Sequence, residues 1–212
     1  MDMGHLVKMQ RDYARLEHKV ILEWIEQRSS VLDLGCGNGE LLSLLTNQKQ
    51  VHAQGIEIDE HAIFNCVAEG LSVFQQDIDT GLSEYKDESF DYVILIQTMQ
   101  QVKKPDIVLR EAVRVGKKAI VSFPNFLHLN ARLQMFFSGK VPVTPSLPYA
   151  WYDTPNLHFL SVSDFIEYCQ KRNIRILNSA FLGKKKRVRL LPNLFAETAI
   201  FLLSKQVKMP ST

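Results

Sequence analysis

Hydrophobic and polar positions follow two periods along the chain, one typical of helices and one typical of buried strands. Apolar side chains recur every three or four residues between Leu6 and Ile25, which predicts an amphipathic helix before the first strand. Short apolar runs then alternate with segments of helical spacing. The runs predict seven strands, at residues 31–34, 51–57, 71–76, 91–97, 119–123, 175–182 and 196–204.

The segments between these strands carry residues that begin and end helices. Asp59 can cap a helix that ends near Gly70, and Ser161 with Asp164 forms a weak capping box for a later helix. Alternating strands and helices predict a parallel sheet with helices on both faces. No helix is predicted between the last two strands, because that segment is polar and is interrupted by Pro192. The last two strands are therefore expected to form an antiparallel closing hairpin.

The alternation stops between residues 124 and 155, which we interpret as an inserted segment. Residues 126–137 have the spacing of a helix, and the stretch after Gly139 contains too many prolines for a helix or a central strand. Because the insertion follows the end of a strand, we expect it to cover a pocket there. The alternative is a structural excursion that packs its own aromatic side chains. The expected helix has an apolar face that includes Leu129, Leu133, Phe136 and Phe137.

The first predicted strand runs directly into a glycine-rich turn, residues 35–39, with the pattern Gly-x-Gly-x-Gly. Glycine accepts positive φ and lets a ligand approach main-chain N–H groups, so this turn predicts a nucleotide-type ligand. A dinucleotide fingerprint needs a small residue where Glu40 stands. Asp33, within the strand, suits a ligand with ammonium and sulfonium groups better than a pyrophosphate. The pattern favours S-adenosylmethionine (SAM) over NAD, with Cys36 as a small turn residue rather than a nucleophile.

Two further acids stand at the ends of the next two strands. Glu57, 20 residues beyond Gly37, can accept hydrogen bonds from both ribose hydroxyls, and Asp77 can take an adenine amino group while Ile78 covers the ring. A loop role for Asp77 is the structural alternative. The predicted cofactor-binding residues are Asp33, Gly35, Cys36, Gly37, Glu57, Ile58, Asp77, Ile78 and Gln97.

These strand-end segments resemble the class I SAM-dependent methyltransferases at residues 32–39, 55–59, 76–78 and 89–94, and the resemblance covers about residues 20 to 204. Three further segments, residues 97–102, 120–126 and 147–156, resemble the MetW family of methionine-biosynthesis proteins. The resemblance implies a Rossmann-like α/β fold with a seven-stranded, mostly parallel sheet, an antiparallel closing hairpin and helices on both faces. It also implies SAM or S-adenosylhomocysteine (SAH) as the cofactor.

For function, the narrower resemblance implies a protein that acts with homoserine O-acyltransferase and activates or regulates it. An independent SAM-dependent small-molecule methyltransferase is the alternative, and an interaction module with a vestigial site is a third. No G-x-S-x-G elbow occurs, so acyl transfer by the chain itself is not expected, and no catalytic residue is assigned. Candidate pocket residues are Gln97, His128, Tyr149, Tyr152, Asp153 and His158, and candidate partner contacts are Tyr149, Trp151, Tyr152 and Arg132.

Composition agrees with one domain spanning residues 1–212 in the cytoplasm. The 212 residues are 46% hydrophobic and carry a formal charge of +2, which gives no sign of nucleic-acid or membrane binding. Three scattered cysteines favour a reducing compartment and predict neither zinc nor a disulfide framework. The basic run at residues 184–187, with Arg189 nearby, is either a solvated hairpin or an anion- or partner-binding patch. Residues 205–212 are expected to be a frayed tail.

Overall fold

The computed structural model describes residues 3–184 and 186–206, and it describes side chains from residue 14 onward. Seven strands in this part of the chain form one sheet in the order β3-β2-β1-β4-β5-β7-β6. The strands are β1 (Ser30–Leu34), β2 (His52–Glu57), β3 (Val73–Gln75), β4 (Phe90–Ile96), β5 (Gly116–Pro124), β6 (Ile174–Leu182) and β7 (Thr198–Lys205). The described helices are α1 (Met3–Trp24), α2 (Glu40–Lys49), α3 (Glu60–Ala68), α4 (Pro105–Val115), α5 (Leu129–Ser138), α6 (Val162–Lys171), α7 (Pro192–Phe195) and a 3-10 turn (Ile78–Thr80).

The first five strands pair in parallel, whereas β7 lies antiparallel between β5 and β6. The prediction of a mostly parallel sheet with an antiparallel closing hairpin is therefore confirmed. The strand order reverses between β1 and β4, because β2 and β3 extend the sheet to one side and β5 to the other. Such a reversal opens a crevice at the carboxyl ends of the strands, which is where ligands bind in open α/β sheets.

Helices cover both faces of the sheet, as the alternation predicted. Leu32 and Leu34 of β1 belong to a core cluster that also contains side chains of α4 and α6. Val31 points to the opposite face, into a cluster with side chains of α1 and α2. Because side chains alternate along a strand, Asp33 lies on the face that Val31 shares with α1.

The helix caps agree with two of the sequence signals. The Asp59 side chain accepts a hydrogen bond from the His61 N–H at the start of α3. Ser161 and Asp164 exchange the two bonds of a capping box at the start of α6, with Asp164 N donating to Ser161 Oγ over 3.2 Å. These caps satisfy N–H groups that have no partner within the helix.

Three expectations about the second half of the chain need correction. The helix expected over residues 126–137 begins three residues later, at Leu129, and its apolar face is left open to solvent, with Phe136 and Phe137 at 81% and 78% exposure. A single helical turn, α7, does form between β6 and β7, because Pro192 at its first position needs no hydrogen-bond acceptor and already has a helical φ. Lys205, placed in the expected tail, belongs to β7, and residues 207–212 lie outside the described residues.

Candidate functional site

The glycine turn after β1 has the backbone that the sequence suggested. Gly35, Gly37 and Gly39 all have positive φ, at 77°, 53° and 77°. Gly35 N and Cys36 N both donate to the carbonyl oxygen of Ile56, over 2.8 and 3.1 Å, which holds the turn against β2. A Cβ on Gly37 would meet no atom within 4 Å. The turn therefore presents bare backbone to open space at the edge of the sheet.

Glu57 lies at the end of β2 and faces this turn. Its Oε2 accepts a hydrogen bond from Gly37 N at 2.8 Å, and its Oε1 accepts from Ile58 N at 2.7 Å and Asp59 N at 3.0 Å. Three main-chain donors thus hold the carboxylate in one orientation. Each carboxylate oxygen offers two lone-pair directions, so Oε2 can accept a further hydrogen bond from a ligand hydroxyl.

Asp33 is a buried carboxyl beneath the turn. Its side chain is 3% exposed, and its Oδ1 has no hydrogen-bond partner among the described residues. Burial, together with the smaller effect of the nearby negative charge of Glu57, raises the pKa of Asp33 from 3.8 to about 7. An unpartnered buried acceptor is costly unless something supplies a donor, and an ammonium group is the donor that a carboxylate favours most.

Asp77 begins the 3-10 turn after β3 instead of standing in an unstructured loop. Its Oδ1 accepts from Asp79 N at 2.9 Å, and the Asp79 carboxylate in turn accepts from Lys103 N and Lys104 N at 3.0 and 2.9 Å. These bonds tie the loop after β3 to the loop after β4. The sequence did not single out Asp79, whose role as a brace depends on contacts with a distant segment.

A cavity of about 510 Å³ joins these groups, which is within the usual size of a cofactor pocket. Seven of the nine predicted cofactor residues line it, while Asp33 and Cys36 lie outside its lining. Thr98, Val102 and Lys103 from the loop after β4 complete one wall. The lining residues from the predicted set are Gly35, Gly37, Glu57, Ile58, Asp77, Ile78 and Gln97.

Cys36 is a packing residue of the turn. Its sulfur would be 2.6 Å from a Cβ on Gly55, so the thiol occupies the space above β2 that the glycine leaves free. Burial raises the pKa of Cys36 far above its ordinary value, and Asp33 adds to the effect. The thiol stays protonated at neutral pH, which agrees with the interpretation of Cys36 as a small residue.

Gln97, which follows β4, links this cavity to a second one. It is one of the few non-glycine residues with positive φ, at 55°, a conformation that costs about 1–3 kcal/mol and that clusters at functional sites. Gln97 N donates to Ser122 O and Oγ, and Gln97 O accepts from the side chains of Gln100 and Gln101. Its own side-chain Nε2 donates to Glu17 Oε1 at 3.0 Å.

Glu17 of α1 is a buried acid that the sequence analysis missed. It is 4% exposed, and burial raises its pKa, while hydrogen bonds from Ser122 and Gln97 partly oppose that shift. Its spacing could have revealed it, because Glu17 lies three and four residues before Val20 and Ile21, on the apolar stripe of the helix. With Gln97 and Gln101 it lines the second cavity, of about 220 Å³, which also borders residues 145, 146, 148 and 149.

The structure separates the remaining pocket candidates. Tyr149 lines the 220 Å³ cavity, but Tyr152 and Asp153 are exposed outside it. His158 lines a different cavity with Met99 and Tyr168. His128 is buried, 3.4 Å from Thr144 Oγ1, and burial with the charge of Lys184 lowers its pKa to about 4. His128 is therefore neutral at pH 7 and lies beside the hydroxyl groups of Thr144 and Ser146, which indicates a structural role.

Surface candidates also differ from one another. Arg132 is exposed, but its guanidinium already donates to the carbonyl oxygens of Leu127 and Asn193. In the basic run, Arg187 forms an ion pair with Glu23 of α1, and Lys185 lies outside the described residues.

No helix in residues 3–184 and 186–206 is long and apolar enough to cross a membrane. The same residues contain no cluster of three or more His, Cys, Asp or Glu side chains that could hold a metal ion.

Comparison with known sequences shows which proteins share this chain's pattern. Residues 15–203 match the model of the family described as "Methionine biosynthesis protein MetW". The "Bifunctional methionine biosynthesis protein MetXA/MetW" of Rhodopirellula baltica is 32% identical over 90% of this chain. This chain spans about a third (33%) of that relative's length. The "Ubiquinone biosynthesis O-methyltransferase" of Pseudomonas fluorescens strain SBW25 is 28% identical, over 62% of this chain and 61% of that protein.

Solved structures show the same fold at low identity. A SAM-dependent methyltransferase from Archaeoglobus fulgidus superposes with a TM-score of 0.67 and 14% sequence identity, covering 96% of this chain and all of that one (100%). The superposition establishes the class I methyltransferase fold. Because the sequence identity is low, the function has to be argued from the site.

Proposed function

Because this chain belongs to the MetW family of methionine biosynthesis proteins, we propose that it binds SAM or SAH and regulates a homoserine O-acyltransferase. The observation that carries the partnership is the relative whose name joins MetXA and MetW in one bifunctional chain. This chain corresponds to a third (33%) of that relative, which leaves the remaining length for the other function. Functions joined in one polypeptide act at high local concentration, so the separate chains are expected to associate.

The cofactor part of the proposal is supported by the residues around the 510 Å³ cavity. Glu57 is oriented to accept ribose hydroxyls, and the open space above Gly37 leaves room for a ligand against the backbone. The unpartnered oxygen of buried Asp33 suits an ammonium group, directly or through one water. SAM, when bound, supplies a methyl group on a positively charged sulfonium. The chain's own residues bind, orient and neutralise this charged ligand.

The partner part is supported by an exposed aromatic surface on the inserted segment. Trp151 and Phe159 line an apolar cavity of about 260 Å³ together with Met135 of α5. Trp151 and Tyr152, in edge-to-face contact 5.7 Å apart, are each 74% exposed. Large exposed apolar patches mark interaction sites, and aromatic anchors dominate interface energetics. We give the name aromatic surface to six exposed side chains of this segment and the residues just after it, which are Met135, Phe136, Phe137, Trp151, Tyr152 and Phe159.

We also propose that residues 124–155 cover the ligand edge within a single domain that works in the cytoplasm. Leu157 N and His158 N both donate to Gln100 O, over 2.7 and 3.1 Å, which ties the residues just after this segment to the loop after β4. Free thiols at Cys36, Cys66 and Cys169 are compatible with a reducing compartment.

The partnership is tested by size-exclusion chromatography and by acyltransferase turnover, with and without this chain and with and without SAH. We expect co-elution and a change of turnover that depends on this chain. If SAH binds the complex and the free chain with different free energies, it must change the free energy of assembly by that difference. Separate elution with unchanged turnover would reject the partnership and leave cofactor binding to be judged on its own.

The cofactor site is tested by calorimetry with SAH on the Glu57→Ala variant. Loss of hydrogen bonds to a charged group should weaken binding by about 1.5–3 kcal/mol. Glu60→Ala is the matched control, because Glu60 is an exposed acid three residues further on and outside the cavity lining. Equal SAH affinity in the two variants would remove Glu57 from the proposed site.

An independent methyltransferase is the second candidate, and one observation favours it. The 220 Å³ cavity adjoins the cofactor cavity at Gln97 and Gln101, as an acceptor site would have to. A mass-spectrometric search for methylated products in a metabolite extract, with SAM supplied, separates the candidates. A product formed without the acyltransferase would favour this second function.

A further inference from the structure

The cavity beside Gln97 is a polar site of its own. Its volume of about 220 Å³ is enough for a small metabolite. It lies between α1, the loop after β4, the end of β5 and the proline-rich stretch. The groups that recognise an adenosine, Glu57 and Asp77, line the other cavity and not this one.

Two buried acceptors in its lining have less hydrogen bonding than their chemistry allows. Glu17 is 4% exposed and receives bonds from the side chains of Gln97 and Ser122, but no cation pairs with it among the described residues. Gln100 is 3% exposed, and its Oε1 has no partner in the described part of the chain, because its Nε2 alone is used, on Gln97 O. Buried acceptors without donors cost free energy until a donor is supplied.

The charge balance of the lining defines the ligand. Glu17 is the one charged side chain among the described residues that line the cavity, and no lysine, arginine or histidine joins it. The remaining polar groups, from Gln101, Ser146, Tyr149 and Asn156, are neutral. A buried carboxylate is stabilised by a hydrogen-bonded cation, so a ligand with a donor-rich positive group complements this lining.

We propose that this cavity binds a small primary-ammonium compound, whose N–H groups donate to the Glu17 carboxylate and the Gln100 amide oxygen. The ligand is distinct from the cofactor, since Asp33 already offers an unpartnered carboxyl oxygen under the glycine turn for the cofactor's own ammonium. The neutral polar groups around the cavity hold the rest of the ligand. Shared walls at Gln97 and Gln101 place it beside the cofactor, where its occupancy and that of the cofactor are coupled.

Calorimetry of the full chain saturated with SAH tests this with two matched probe pairs. They are n-butylammonium against n-butanol, and L-methionine against N-acetyl-L-methionine. We expect the ammonium member of each pair to bind at least about tenfold more tightly than the counterpart that lacks the ammonium group. If neither ammonium compound binds with a dissociation constant below about 10 mM, the proposal is overturned, and no variant is needed for that conclusion.

The Glu17→Gln variant tests the residue, with Glu23→Gln as its control. Both substitutions are on α1 and keep the side-chain shape, but Glu23 is an exposed partner of Arg187. Ammonium affinity should fall at least about tenfold in Glu17→Gln and stay unchanged in Glu23→Gln. Equal affinity in both variants would overturn the assignment.

Separate titrations with SAH and with 5′-methylthioadenosine, which lacks the amino-acid portion, distinguish the two sources of ammonium. We expect Glu17→Gln to leave both affinities within about twofold of the unmodified chain. A selective loss of SAH affinity would mean that Glu17 serves the cofactor's own ammonium, and the separate ligand would be rejected. These measurements need no acyltransferase, so failure here and failure of the proposed partnership are distinguishable.

Discussion

The glycine turn with its neighbouring acids and the inserted segment lie at the same edge of the sheet, yet they are built differently. Main-chain hydrogen bonds and positive-φ glycines fix the first, with Glu57 held by three N–H groups. The second carries its rings outward, and Phe136 and Phe137 contact each other more than the core. A site that must hold a charged small molecule needs rigid polar groups, whereas a surface that meets a protein needs exposed apolar area.

This difference predicts that changes in the two regions affect different measurements. Substitutions around the turn should change SAH binding or the stability of the charged site, and those on the aromatic surface should change partner binding. A variant that changes SAH binding and partner binding equally would contradict this separation of the two regions.

The largest expected effect concerns the pH dependence of stability at Asp33. Its pKa of about 7 lies above the ordinary 3.8, so the folded state holds this proton more tightly between those values. Stability should therefore fall as pH rises through that window, by up to about 4 kcal/mol. Urea unfolding at pH 5 and pH 8 covers about 2.7 kcal/mol of this loss in the unmodified chain, and Asp33→Asn should lack that part. Burial also raises the pKa of Glu197 to about 7, so a loss from Glu197 remains in both proteins.

Asp91→Asn is the control for that measurement. Hydrogen bonds from Lys117 and Ser30 lower the pKa of Asp91 to about 2, so its contribution to stability is present above pH 4 and disappears only at lower pH. This variant should be destabilised equally at pH 5 and pH 8. If the Asp33→Asn variant had the same pH dependence as the unmodified chain, Asp33 would not be the buried titrating group.

A side chain at Gly37 should reduce SAH affinity next most strongly. Gly37→Leu would project into the open space above the turn, and we expect a loss of at least about 100-fold, or 2.7 kcal/mol. Gly139→Leu is the matched control, because Gly139 also has positive φ and open space but lies at the end of α5. Calorimetry with SAH should distinguish the two variants. A comparable loss in both would point to backbone strain instead of a blocked site.

Truncating the aromatic surface should affect the partner alone. Trp151→Ala should weaken the complex with the acyltransferase by about 2 kcal/mol, the scale of an interface hot spot, and leave SAH affinity unchanged. Phe64→Ala on α3 is a control of equal exposure, 74%, outside that surface. Surface plasmon resonance measures the first quantity and calorimetry the second. Equal weakening by the two variants would show that the aromatic surface is not the contact.

The smallest expected effect is at the boundary between the inserted segment and α6. Ser161→Ala removes the capping box and should cost about 1 kcal/mol of unfolding free energy. Because this cap supports neither region directly, SAH affinity and partner affinity should both stay unchanged. Ser163→Ala, two residues further on, is the control, since Ser163 lies inside α6 and its side chain caps nothing. A loss of partner affinity in Ser161→Ala alone would mean that the cap orients the inserted segment.

The parts of the site that follow from chain direction could be predicted from sequence. Glu57 and Asp77 stand at the ends of β2 and β3, and parallel pairing brings those ends to one edge whatever the details of packing. Glu17 could not be assigned in the same way, because its meeting with Gln97 joins residues 80 positions apart. The orientation of α5 also escaped prediction, since periodicity identifies an apolar face but not what covers it.

The position of β7 has a consequence for how the protein is made. The last strand lies between β5 and β6, so both wait for residues 198–205 to leave the ribosome before either is fully paired. Until then β5 presents an unpaired, strongly apolar edge, the kind of surface that promotes misassembly during synthesis. A premature stop codon at position 198, which would remove β7, would thus separate β6 from the sheet, although most of the ligand-binding edge would already have been translated.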